Sequence, residues 1–205
     1  MVKISAEDKA RVTQAVAQAE SVTCAEIVTV LAPASDSYQG YVLLYGLMLG
    51  SLISMGLWTA QVLAQFPLLL VVQFAAIVLL QFPWLKRLCI RLVPVHVRHT
   101  RAAHRAYEEY LMVSRHVAAS APIVLLYISL AERYVHILHS RSVREKVPDS
   151  TWNTVVGEFT ASMASVPLAE ACERIIRRIA ELLAPHFPEH GEKHMERSHV
   201  IEIGK

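Results

Sequence analysis

The chain is expected to adopt an α/β fold: a layered α/β sandwich around a small mixed sheet, interrupted by an inserted two-helix transmembrane hairpin. Residues 26–31 and 123–130 are rich in β-branched and aliphatic side chains without strict alternation, as strands buried on both faces of a parallel sheet are. Stretches with helical spacing of apolar residues lie on either side of them. Between the two strands, from Asp36 to Lys86, stands no charged residue and no histidine. That block is about twice the ~20 apolar residues needed to cross a ~30 Å hydrocarbon core.

Taken in order, Ser5 with Glu7 and Asp8 reads as a helix N-cap and an acidic first turn. Val12, Ala15, Val16 and Ala19 supply that helix's apolar face. The strand at 26–31 follows. The uncharged block then divides near Gln61 to Pro67 into two expected spans, about 41–64 and 66–85. Tyr38, Tyr41 and Tyr45 begin the first, and Phe82 and Trp84 end the second, as aromatic residues do at one membrane interface. Gly46, Gly50 and Ser54 recur every four residues, the small-residue spacing that lets helix backbones approach closely. They can pack the hairpin on itself or join copies into a homo-oligomer.

The basic residues Lys86, Arg87, Arg91, Arg98, Arg101 and Arg105 all precede the next acid, Glu108. Following directly on an apolar block, they fit the positive-inside rule, and Lys86, Arg87 and Arg91 fit contact with lipid headgroups. With a net charge of +2, there is no general case for nucleic acid as a partner. A helix over about 98–120, the strand 123–130, a more exposed strand 134–139 and two closing helices complete the expected domain. Asp149 or Ser150 should cap the first of those helices, with Trp152, Val155, Val156 and Phe159 in its core stripe. Pro167 starts the second, with Cys172, Ile175, Ile176, Ile179 and Leu183 inward. Residues 1–36 and 98–187 thus form one discontinuous domain, 37–97 the hairpin with its basic flank, and 188–205 a polar tail in which 200–203 can order locally.

The runs Ala19-Glu20 and Thr23-Cys24-Ala25-Glu26-Ile27-Val28 resemble the opening of the TPM domain family. So do Val124 to Val135, Val147-Pro148-Asp149 and Trp152, and the likeness is to a bacterial branch with an inserted membrane segment. The resemblance implies an α/β/α sandwich. Plant members of that family have been assigned phosphatase activity and divalent-metal binding, so it also implies, as an alternative, a membrane-anchored, metal-dependent phosphatase-like hydrolase. The segment His139-Ser140-Arg141-Ser142-Val143 departs from the family pattern, lacking its acidic and glycine residues.

Candidate polar residues are Glu26, Glu132, Arg133 and Asp149, all near strand ends or turns. Carboxylates there can ligate a cation through oxygen or transfer protons; ion pairing with Arg133 and capping by Asp149 are the structural alternatives. His186, His190 and His194 lie four apart, but Pro188 and Gly191 interrupt any helix carrying them, so no metal site is expected. The three cysteines, odd in number and far apart, read as reduced thiols. Neither a phosphate-binding glycine loop nor a nucleophile motif around Ser129 is present. The expected protein is therefore a two-span protein of the bacterial inner membrane, needing no cofactor, with its domain and both termini cytoplasmic. Its partners would be the bilayer and another membrane or cytoplasmic protein, for which it is an interaction or auxiliary module.

Overall fold

A computed structural model describes residues 6–61, 66–115, 117–118, 121–163, 165–189 and 200–202. The chain divides into two compact units, one of residues 1–35 and 99–205, the other of residues 36–98.

The first unit is an α/β fold built on a four-stranded mixed sheet, ordered β3-β2-β1-β4. Strand β1 (Glu26–Ala32) runs parallel to β2 (Ile123–Ser129), with Glu26 opposite Ile123 and Ala32 opposite Ser129. Every residue of β2 is buried, and every residue of β1 after Glu26. This is why neither strand alternates in sequence: both faces are covered. Strand β3 (Tyr134–His139) pairs antiparallel with β2 and is more exposed. Strand β4 (Val200–Glu202) pairs parallel with β1, so residues 188–205 are not merely a polar tail. The sheet has four strands where three were expected.

On one face, Val12, Val16 and Ala19 of α1 (Ala6–Glu20) share a core with Ile27, Leu31, Val124, Leu126 and Ile128. Helices α7 (Asp149–Ser162) and α8 (Leu168–Leu183) add Trp152, Val155, Phe159, Cys172, Ile175, Ile176, Ile179 and Leu183 to it. The other face carries Val28, Val30, Leu125 and Tyr127 against Ala102 and Ala106 of α5 (Val95–Ser114). Alanines at those two positions let the helix lie close on the sheet. The N-cap of α7 is Pro148, not Asp149 or Ser150; Asp149 is its first residue and places an acid in the positive first turn. Ser5, the expected cap of α1, lies outside the described residues. A single short turn, α6 (Arg141–Arg144), follows β3.

Thiol chemistry follows from this packing. Cys24 is exposed, whereas Cys172 is wholly buried and its thiol is pushed up to about 12 by desolvation, with Asp8 adding to the effect. A thiol so protonated is a poor nucleophile. Maleimide at neutral pH is expected to label Cys24 within minutes and Cys172 only after denaturation. Rapid labelling of Cys172 in the native Cys24→Ser, Cys89→Ser protein would contradict this packing.

The second unit consists of α2 (Gln39–Thr59), α3 (Phe66–Leu80) and α4 (Pro83–Leu92). Asp36 accepts the backbone N–H of Tyr38 at 3.2 Å, and Tyr38 turns the chain into α2 with φ of 52°. Helices α2 and α3 pack through the small-residue row. A Cβ at Gly46 would lie 3.0 Å from the Ile77 Cα, and one at Gly50 3.1 Å from the Gln73 Cα. The Ser54 hydroxyl donates to the Leu69 carbonyl at 3.3 Å, and the Gln73 amide donates to the Leu47 carbonyl at 3.1 Å. The row thus serves contact within the unit. Large apolar side chains point away from that seam and are exposed, among them Leu43, Leu47, Leu52, Met55, Val71, Phe74 and Val78. The expected second span of 66–85 is interrupted: α3 stops at Leu80, Pro83 begins a new helix, and residues 68–80 and 83–92 meet at 77°. Proline is pre-organised for the first turn of a helix and cannot continue an earlier one. Among the described residues, helix α2 is the one long and apolar enough by itself to cross a membrane; α3 and α4 satisfy that test only when taken together. Tyr38, expected at an interface, is buried.

Candidate functional site

Parallel pairing brings the ends of β1 and β2 together, and the carboxyl ends of parallel strands are where open α/β sheets usually bind ligands. Here that end is occupied by a polar network. Glu132, in the β2–β3 turn, is 2% exposed. Its two carboxylate oxygens accept the backbone N–H of Ser35 at 3.2 and 3.1 Å, and it also accepts the Ser129 hydroxyl. The Ser35 hydroxyl donates to Ser129 Oγ at 2.8 Å and lies 2.9 Å from Tyr127 Oη. An ionised carboxylate only accepts. It therefore directs the chain of donors from Tyr127 through Ser35 and Ser129 to Glu132. Burial pushes the Tyr127 phenol above its ordinary value, the Ser35 hydrogen bond opposes that, and the Glu132 charge reinforces it. The phenol thus keeps the proton that it donates.

This network closes the α/β unit where the chain leaves it. Ser35 is the last residue of 1–35, and the chain re-enters at His99, whose ring contacts Tyr134 at 5.3 Å. Tyr134 is the register partner of Ser129. Both crossings are therefore tied to the same hairpin, β2–β3. On α5, Arg105 forks between Glu108 at 3.1 Å and Glu109 at 2.9 Å. Burial raises the Glu109 carboxyl and Arg105 opposes it. Arg105 therefore has acid partners within its own helix.

Of the residues expected to act together, Glu26 and Asp149 stand at one end of the sheet and Glu132 and Arg133 at the other. Glu26 pairs with Ile123 at the start of β2, while Glu132 follows the end of β2. Six residue steps of strand separate those ends by about 20 Å, so the four form no single centre. Arg133 is exposed, with φ of 52° in the β2–β3 turn. Asp149 reaches His139 Nε2 at 3.3 Å, and the His139 ring stacks on Trp152 at 5.5 Å. Among the described residues, no group of three or more His, Cys, Asp or Glu is placed to hold a metal ion. His190 and His194 lie outside those residues. Ser129 Oγ donates to the Glu132 carboxylate and accepts from Ser35, and among the described residues it has no imidazole base as a partner.

Ser35 and Tyr127 were not legible as site residues. Ser35 lies beyond any periodic element, and its partners are more than ninety positions away in sequence.

Next to Tyr127 across the sheet is His136, whose ring lies 5.9 Å from Tyr134. Burial, then the neighbouring His139, holds its imidazole below the ordinary 6.5. A histidine depressed in the folded state contributes stability above its unfolded value and loses it as pH falls through the folded one. Wild-type protein is expected to melt at a lower temperature at pH 5.0 than at pH 7.5, and His136→Phe should reduce that difference. An equal pH dependence in the two proteins would rule out His136 as the source.

The class defined by these features is an α/β domain interrupted between its two central parallel strands by an apolar helical unit. Its fold is similar to that of the BA42 protein from the psychrophilic bacterium Bizionia argentinensis, solved by NMR. The two share 14% identity, with 98% of this chain and 99% of that one covered and a TM-score of 0.58. At such identity the likeness is one of fold. No family profile and no curated protein matches the sequence.

Proposed function

We propose that the chain is a membrane-tethered, TPM-like α/β module of the bacterial inner membrane, working as an interaction or auxiliary domain. The observation that carries this reading is the surface of α2 and α3, where large apolar side chains are exposed outside the Gly46–Gly50 seam. In water, contiguous exposed apolar area on that scale is a liability; in a bilayer it is the solvated state. No charge stands between Asp36 and Lys86 to oppose insertion. Direct pairing of β1 with β2 supports a hairpin that enters and leaves on one side, and the basic residues after it favour the cytoplasm. The domain then meets a protein partner at the membrane surface, and the Ser35–Glu132 network keeps it closed where the tether departs. Alkaline carbonate extraction tests the tether: the chain should stay with the membrane pellet, and release into the supernatant would overturn the reading.

A further inference from the structure

We propose that α4 is an in-plane surface helix that selects anionic phospholipid headgroups. This rests on the tether just described. Helix α4 leaves α3 at 77°, so when α3 runs along the membrane normal, α4 lies nearly in the membrane plane. One side of α4 is already used: Cys89 is buried with Val42 and Leu80, and Leu85 packs against the same cluster. A second side is unpartnered and apolar. Trp84, Leu88 and Leu92 recur every four residues and are 67%, 52% and 64% exposed. On a helix of 3.6 residues per turn these three form one stripe, and the exposed Arg91 borders it. Phe82, just before the helix, is exposed as well.

An apolar stripe with an interfacial tryptophan and a basic border is the pattern of a helix lying at the headgroup level. The apolar side chains reach the acyl boundary, while long basic side chains extend their charge toward phosphodiesters. Charge complementarity fixes the occupant. From Lys86 to Arg105 the sequence has basic residues and no acid, so nothing on this segment repels an anionic surface. Phosphatidylcholine, being net neutral, gives no comparable gain. Pro83 opens α4 in its first turn, where proline is pre-organised, and so sets the direction in which the chain leaves α3.

The test uses the full chain, purified with equimolar phosphatidylglycerol and phosphatidylcholine in detergent, with retained lipids counted by native mass spectrometry. Wild type should retain phosphatidylglycerol preferentially. Lys86→Gln and Arg91→Gln should each reduce the ratio about fivefold, and the double variant should bring it close to one. Charge-conserving Lys86→Arg and Arg91→Lys should keep the preference, which separates loss of charge from misfolding. Arg115→Gln, in the other unit, should leave it unchanged. A wild-type ratio near one, or a double variant equal to wild type, would overturn the proposal. If the chain nevertheless resists carbonate, only the lipid selectivity fails; release by carbonate defeats the tether and this proposal together.

Discussion

Replacing Glu132 by alanine is expected to destabilise the α/β unit by about 3 kcal/mol, lowering its unfolding midpoint by about 10 °C. The carboxylate is 2% exposed and serves as sole terminus of a directed donor chain. Its removal takes the acceptor from the part-buried Ser35 N–H and, with the serine hydroxyls then donating back along the chain, leaves the buried Tyr127 O–H without one; each buried donor left without an acceptor costs about 1–3 kcal/mol. Glu132→Gln should cost much less. The amide keeps one acceptor for Ser35, and its NH2 can donate to Ser129, which then donates back along the chain. Asp149→Ala, at the other end of the sheet, should change the midpoint little, because that carboxylate is 70% exposed. Near-UV circular dichroism during heating measures all three. An alanine variant at position 132 that melts with wild type would remove the network from any account of stability.

Substituting leucine at Gly46 or Gly50 is expected to disrupt the helical unit by about 3 kcal/mol, the upper end of ordinary overpacking. At both positions the first atom a side chain meets is backbone, Ile77 Cα at 3.0 Å or Gln73 Cα at 3.1 Å, which cannot rotate aside. The helices must separate, and the Gln73–Leu47 and Ser54–Leu69 hydrogen bonds separate with them. Gly56→Leu is the control, since a Cβ there meets nothing within 4 Å. Disulfide formation between cysteines introduced at Ser51 and Gln73, whose side chains meet across the seam at 3.3 Å, in a background lacking the native cysteines, reads the approach of α2 and α3. It should fall in the Gly46 and Gly50 variants and persist in the Gly56 variant. Equal cross-linking in all three would refute the close seam. Loss of intermolecular cross-links alone would instead assign the seam to an oligomer.

The strands β1 and β2 were legible because two unbroken apolar runs rich in β-branched residues have few alternatives, and the stripe of α8 because eight buried residues recur at helical spacing. The β4 strand was not: Val200–Glu202 is too short to carry a period, and what orders it is the open edge of β1. The bend before α4 was missed because Leu85 continues the apolar composition, while Pro83 reveals a restart only once its position in the helix is known. The split of Glu26 from Glu132 was within reach. Parallel strands begin at the same end, so a residue opening β1 cannot neighbour one following β2. Ser35, Tyr127 and Ser129 gave no pattern at all, since only strand register brings them together.

The central claim is that one α/β domain is built from two segments on the same side of a membrane, with the intervening helices crossing and returning. Its most direct test is labelling of intact cells by a membrane-impermeant maleimide. Each protein carries one cysteine, at Cys24, at Ser114 or at Gln61. Gln61 follows the end of α2, whereas Cys24 and Ser114 lie in the segments flanking the helical unit. The Gln61→Cys protein should label in intact cells, and Cys24 and Ser114→Cys should label only after the membrane is opened. Labelling of Cys24 and Ser114→Cys on opposite sides, or of all three without permeabilisation, would contradict the account.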